Sequence, residues 1–362
     1  MPRELDYPLV TKLLGRAFGV PGGELEASFA PATSNDLDEL LSLRADHDRT
    51  EHRSGDRRYL EWRYDLSGET PGRAIWVFRR SGELVGTLGV EEDVFSHAGT
   101  DVTVHKLMDI LAREDHMGSG LGVWMNLRLQ TLFENTLCIG STQYSHSIVT
   151  KLNTALPDWQ TWRYPMRLGY KHRSLARLDP LLRFKRAIFR SLVRNDVGLV
   201  RSDRALAGLS ELRASMCARR IMPSRSAGKT AWRLDGCPDA PYEHFALATP
   251  GGDVTASIVV RRSGGRAELS DALVSEARGR RAATRTLSDL LTLVATELAS
   301  EGIEVLGTRV NDPYTVAALR RTGFLRRPEP LAMGYRFGSE ALTAWMDAGV
   351  PLFLMPVDSD FG

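Results

Sequence analysis

The sequence predicts a mixed α/β protein built from two tandem copies of one unit, and three observations carry that expectation. The stretch Asp109-Ile-Leu-Ala-Arg-Glu-Asp-His-Met-Gly-Ser-Gly-Leu-Gly122 reads as an apolar strand, a glycine-rich turn and a helix start. Several blocks of the first half recur in the same order 169 to 170 residues later. The chain has 362 residues, 43% of them hydrophobic and 25% charged, enough for two domains with separate cores and too apolar for large-scale disorder.

Taken in order, residues 1–28 form a helical extension, with Leu9, Leu13 and Phe18 on one face and a stop at Pro21-Gly22-Gly23. The first unit spans residues 29–170. It opens with a helix rich in Asp and Leu over residues 38–45, and a hairpin follows from Ala74 to Val90. Beyond the glycines, Leu121, Met125, Leu129 and Leu132 recur at helical spacing. Leu137-Cys-Ile-Gly140 is a strand, Ile148 to Leu156 a helix, and Trp159, Trp162 and Tyr164 mark a closing strand. A linker covers residues 171–200. There Leu181, Phe184, Ile188 and Leu192 fall at helical spacing while Arg183, Lys185, Arg186, Arg190 and Arg194 occupy the rest. The plainest arrangement puts that apolar stripe on the core and the arginines in water. Docking of an acidic partner and attachment to a membrane surface are the alternatives. The second unit spans residues 201–340, and a tail, 341–362, ends in a mobile acidic stretch.

The repeat rests on three aligned blocks. Trp62 to Gly86 and Trp232 to Ala256 both span 24 residues, from a Trp-Arg pair to the hairpin's second strand. Asp38-Glu-Leu-Leu-Ser-Leu-Arg-Ala45 aligns with Ala207-Gly-Leu-Ser-Glu-Leu-Arg-Ala214. Leu269–Val274 then supplies the second apolar strand, and Leu287, Leu291, Val294 and Leu298 the second helix stripe.

Glycines 118, 120 and 122 leave bare N–H groups at a helix N-terminus, a positive dipole end suited to a pyrophosphate. The same turn also serves simply to let strand and helix pack closely. Strand, Gly-x-Gly-x-Gly turn and amphipathic helix, preceded by the hairpin and the first helix, resemble the GCN5-related N-acetyltransferases (GNAT). That resemblance implies an α+β fold of tandem domains, each a mixed, mostly antiparallel central sheet flanked by helices. It implies acetyl-CoA or another acyl-CoA as co-substrate, its pyrophosphate on Met117, Gly118, Ser119, Gly120, Leu121 and Gly122. It also implies backbone contacts to thioester and pantetheine from Ile110, Leu111 and Ala112 on a bulged strand. Met117 stands where the family has Arg or Gln. In the second copy, Arg278-Gly-Arg-Arg-Ala-Ala283 puts Arg281 at the middle glycine, where a side chain crowds a close backbone approach. Leu319 there replaces the tyrosine that often acts as general acid. The first copy is therefore the expected donor site, although Arg278, Arg280 and Arg281 leave the second open to a phosphate.

Acyl transfer to an amine needs a neutral amine, a donor to the oxyanion and a proton for the leaving thiolate. Strand alternation puts His105, Leu107 and Asp109 on one face, so His105 and Asp109 are candidates to relay a proton. Glu91 and Glu92 are further carboxylate candidates, and Tyr144 and His146 are candidate acids for the thiolate. Each has a structural alternative: a hydrogen-bonded histidine, a capping carboxylate, a polar loop.

A net charge of +2 gives no argument for nucleic acid, and three cysteines without a C-x-x-C suggest neither a disulfide framework nor a zinc site. No apolar run is long enough to span a membrane and no signal peptide pattern is present, so a cytoplasmic protein is expected. The expected activity is transfer of an acetyl or other short acyl group to a small-molecule amine, an amino sugar or specialised metabolite. An acyl carrier protein or aminoacyl-tRNA as donor, docked through the basic linker, is an alternative. A catalytically silent acyl-CoA sensor is another, and oligomeric state is not legible.

Overall fold

The computed structural model describes residues 6–47, 56–68, 72–139, 146–156, 159–170, 173–202, 208–238 and 241–358. The chain divides into two units: residues 1–94, 102–157 and 331–344, and residues 95–101, 158–330 and 345–362. The elements begin with helices α1 (Tyr7–Phe18) and α2 (Gly22–Ala27), strand β1 (Phe29–Pro31), and helices α3 (Leu37–His47) and α4 (Arg57–Arg63). Strands β2 (Arg73–Arg80), β3 (Glu83–His97) and β4 (Thr100–Ala112) follow, then α5 (Leu121–Leu132), β5 (Asn135–Ile139), α6 (His146–Leu152) and β6 (Thr154–Ala155). Next come β7 (Trp159–Pro165), α7 (Asp179–Ser191), β8 (Gly198–Ser202), α8 (Leu209–Cys217), β9 (Met222–Pro223) and α9 (Ala227–Thr230). The remainder is β10 (Tyr242–Ala248), β11 (Val254–Ser263), β12 (Arg266–Val274), α10 (Arg280–Ser300), β13 (Val305–Val310), α11 (Pro313–Thr322), β14 (Leu325–Leu331), β15 (Met333–Phe337) and α12 (Glu340–Asp347).

One sheet runs β1-β2-β3-β4-β5-β15-β6, with β9 against the end of β3, and the other runs β14-β7-β13-β12-β11-β10-β8. Among strand pairs with described register, only β4–β5 and β12–β13 are parallel. In the first unit Ile75 and Val77 on β2 pack with Leu37, Leu40, Leu43, Leu60 and Tyr64. Phe78, pointing the other way, packs with Leu14, Phe18, Trp124 and Met125. Helices α3 and α4 thus cover one face, α1 and α5 the other. The second core is built likewise around Leu287, Leu290, Leu291, Val294 and Leu298 of α10.

Four expectations are corrected. The Trp159–Tyr164 strand does not close the first unit: β7 pairs with β13, with Trp162 opposite Thr308, while β15 pairs with β5. Apolar alternation identified the strand but carried no information about its partner. In α1, Leu9 and Leu13 are exposed, and the buried face is Thr11, Leu14, Gly15 and Phe18. Thr11 accepts the Trp124 indole N–H at 2.9 Å, which turns that face inward. In α7 the apolar stripe points outward, with Leu181, Phe184 and Leu192 each about two-thirds exposed. The inward side is held by long cations on carbonyls: Arg186 donates to Met166 O at 2.8 Å and Lys185 to Gly323 O at 3.5 Å. Finally, the tail is core as far as Asp358, with Phe353, Leu354 and Met355 fully buried, while the rest of the stretch expected to be mobile, 359–362, lies outside the described residues.

Candidate functional site

Strand β4 pairs with β5 only at His105–Thr136, Lys106–Leu137 and Leu107–Cys138. It then runs five residues further without a described partner on that side, so the two strands part. Just past the last pair, Asp109 adopts φ +51°, a left-handed conformation that a short polar side chain tolerates. Its carboxylate accepts from Tyr64 Oη at 2.6 Å and from Arg44 Nη2 at 3.0 Å. Burial alone would raise the Asp109 pKa, but Arg44, the Tyr64 hydroxyl and Arg63 outweigh it and hold the carboxyl below its ordinary value. Tyr64 reaches across β3 because residue 89 is glycine; a Cβ there would overlap its hydroxyl.

That bulge changes the expected geometry. His105 stacks on Phe133, ring centroids 3.9 Å apart, at the C-terminal end of α5. Asp109 is held by Arg44 of α3 and by Tyr64, which follows α4, on the opposite face. The two are not on one face, because the positive φ breaks the alternation that predicted it. Burial, partly offset by Glu92 and the Asn135 backbone, lowers the His105 pKa, and Glu92 Oε2 lies 3.5 Å from its Nε2. Glu91 is no loop carboxylate. It is buried in β3 between Arg63 Nη1 at 2.6 Å and Lys106 Nζ at 2.5 Å, and Lys106 also meets Asp93 at 3.0 Å. Buried carboxylates and cations paired in this way are costly to break.

The glycine turn forms as expected. Gly118 and Gly120 have φ +81° and +89°, and a Cβ on either would meet nothing within 4 Å. Ser119 Oγ donates to His116 O at 2.7 Å and accepts from Leu121 N–H at 3.3 Å. The N–H groups of Gly122 and Val123, in the first turn of α5, have no acceptor within the helix. Met117 is 45% exposed beside them. Gly122 lets β4, α5 and α6 meet: a Cβ there would lie 3.1 Å from Ile148 Cδ1 and 3.3 Å from Ile110 Cδ1. Ile110, Leu111 and Ala112, the last three residues of β4, are part-buried. His146 is exposed as the first residue of α6, whereas Tyr144 lies outside the described residues. The Cys138 thiol, opposite Leu107, is pushed up to about 11 by burial, so it offers no thiolate.

The second unit repeats the splay and packs its own C-terminal turn on it. Strands β12 and β13 pair only at three positions ending with Glu268–Gly307, and Ser270 bulges beyond. There Arg225 is clamped between Asp271, at 2.8 Å, and Asp358, at 2.7 Å. The turn Pro356–Asp358 packs on both strands, with Leu354 N–H donating to Asn311 Oδ1 at 3.1 Å. Arg278, Arg280 and Arg281 are exposed, Arg280 over the Tyr314 ring at 4.5 Å. Sequence reasoning missed Arg44, Tyr64 and the Arg225 clamp. Arg44 left one signal: it follows Leu37, Leu40 and Leu43 on the buried arc of α3, where a cation needs a partner.

Solved structures share this fold. The chain matches Saccharomyces cerevisiae N-myristoyltransferase with bound myristoyl-CoA at TM-score 0.55 and 10% identity, over 85% of this chain and 82% of that one. It matches a tandem GNAT protein from the clavulanic acid biosynthesis pathway at TM-score 0.52 and 14% identity, over 86% and 98%. The fold is that of tandem GCN5-related N-acetyltransferases. The chain also matches a GCN5-related N-acetyltransferase from Anabaena variabilis at TM-score 0.56 and 12% identity, over 86% and 72%. No protein-family profile and no curated protein matches the sequence. Among the described residues no helix is long and apolar enough to cross a membrane, and no cluster of His, Cys, Asp or Glu could hold a metal ion.

Proposed function

We propose that the chain is an N-acyltransferase that moves an acyl group from acyl-coenzyme A to a primary amine, with the donor held by the first GNAT-like unit. The observation that carries this is the open glycine turn, with two left-handed glycines and unpaired first-turn amides, directly after a bulged and splayed strand. Bound there, the donor supplies an activated thioester acyl group. The amides of Gly118, Gly120, Gly122 and Val123 would hold its pyrophosphate, those of Ser119 and Leu121 being engaged within the turn. Past the last pair of β4 with β5, the N–H groups of Ile110 and Ala112 face away from β3, as Arg113 N–H bonds Val85 O there, and would take the thioester oxygen and its developing charge, while Leu111 N–H faces β3. The second unit binds no donor in this proposal, since its own turn at Pro356–Asp358, tied to β12 through Arg225, packs on both of its parted strands.

Asp109 and Glu91 serve as positioning carboxylates in this proposal. Asp109 is committed to Arg44 and Tyr64, and Glu91 to Arg63 and Lys106. His105 is the base, because burial keeps its imidazole neutral and able to accept a proton from the ammonium through water. His146 or Tyr144 returns a proton to the leaving thiolate. An acceptor of the amino-sugar or specialised-metabolite class is favoured by likeness to the clavulanic acid pathway protein. Thiol release from acetyl-CoA should be followed against a panel of small amines, with acetylated product confirmed by mass. Turnover of at least one amine supports the proposal; tight CoA binding with no turnover on any amine would favour a sensor.

A further inference from the structure

Helix α7 is amphipathic in the reverse of the usual sense. Leu181, Phe184, Ile188 and Leu192 are exposed by 64%, 67%, 44% and 67%. They are spaced three, four and four residues apart, so they form one continuous ridge about 16 Å long. Single exposed apolar residues are ordinary, but four aligned on one helix need a cover.

The chemistry of the ridge narrows what that cover is. The polar residues that border it are turned away: Lys185, between Leu181 and Ile188, points its amine to Gly323 O at 3.5 Å, and Ser191 donates its hydroxyl back to Ile188 O at 2.8 Å. Protein partners ordinarily exchange a hydrogen bond for every 100 to 200 Å² of interface, and this strip has none to give. Arg183 and Arg190, seven residues apart and both exposed, lie together on the side of the helix opposite the ridge. The only carboxylate of α7, Asp179, accepts from Leu168 N–H at 2.7 Å at the helix start. Nearby, Leu325 is 52% exposed and Arg326 is exposed, two and three residues beyond the Gly323 carbonyl that Lys185 contacts.

An apolar strip on one side of a helix whose other, exposed side carries arginines is complementary to a lipid leaflet with anionic headgroups. Acyl chains need no hydrogen bonds, and the guanidinium groups of the polar side are drawn to the phosphates when the helix lies in the interface. The geometry points to α7 as an interfacial helix that docks the protein flat on an anionic membrane surface. This is independent of the acyl-transfer proposal, because no residue of α7 belongs to the donor site.

The test is co-sedimentation of the full chain with vesicles of phosphatidylglycerol and phosphatidylcholine in equal parts, and of phosphatidylcholine alone. The wild type should sediment with the mixed vesicles and bind the neutral ones far less. Phe184→Ser with Ile188→Ser should lower partitioning by about tenfold or more. Arg183→Gln with Arg190→Gln should lower it on mixed vesicles by about thirtyfold. Thermal melting checks that both variants remain folded, and the arginine pair, exposed and away from the core, decides the matter if the serine pair unfolds. Wild type left in the supernatant with anionic vesicles would overturn the proposal, as would variants that sediment like wild type. So would a wild-type dimer that the serine pair converts to monomer, since a second copy would then be the cover.

Discussion

The left-handed backbone at Asp109 is held in place by Arg44 and Tyr64, and Arg44 is only 1% exposed, so the charge at residue 109 has a measurable role. Asp109→Asn keeps a residue that tolerates positive φ but removes the carboxylate. Chemical denaturation should show a loss of about 3 kcal/mol, and a loss near zero would mean that the pair does not hold the bulge. The sign of the pH dependence follows from the lowered pKa. The folded chain binds this proton less readily than the unfolded one, so the stabilisation is complete above the ordinary value of 3.8 and is lost as pH falls through the lowered one. The Asn variant should therefore lose less stability than wild type on acidification below about pH 4. His105 is also lowered, from 6.5, so its stabilisation is full above that value and fades as pH falls below it. As the proposed base it adds a second readout. In wild type, kcat/KM should rise with pH through a value below 6.5, and His105→Gln should abolish that limb. An unchanged profile would remove His105 from the reaction.

At the scale of elements, Gly89 and Tyr64 give a paired prediction. Gly89→Ala sets a Cβ into the Tyr64 hydroxyl and should cost about 1 to 3 kcal/mol, while adding Tyr64→Phe should recover part of that by making room. No recovery in melting experiments would mean that the overlap is not the cause. The helices were legible wherever apolar residues recur at helical spacing and a nearby surface can take them: the Leu121, Met125 and Leu129 face of α5 and the Leu287, Leu291, Val294 and Leu298 face of α10 are buried. The glycine turn was legible because positive φ at Gly118 and Gly120 suits the residue that stands there. Its neighbour was not, because Asp109 adopts the same region through contacts with Arg44 and Tyr64, far away in sequence. Helix α7 was misread for a related reason. Periodicity marks an apolar face, but the carbonyls of Met166 and Gly323 determine that its cations turn inward. The exchange of β7 and β15 was hidden because strand patterns carry no address.

At the scale of the whole molecule, two copies of one unit have diverged at the same place. Both splay a parallel strand pair after three residues of pairing. Both strands bulge, but the first copy keeps the open turn and unpaired amides. The second has Arg281 in the first turn of α10 and its own C-terminal turn packed on both strands, with Asp358 1% exposed. Donor binding should therefore be confined to one copy, and the chain should take up one coenzyme A. Gly120 offers the cleanest probe, since a side chain there meets open space and only its backbone angle and the ligand's approach suffer. Isothermal titration of coenzyme A into wild type and Gly120→Val should give one equivalent per chain for the first and a loss of affinity of about tenfold or more for the second, with melting preserved. Two equivalents per chain, or undiminished affinity in the folded variant, would contradict the account.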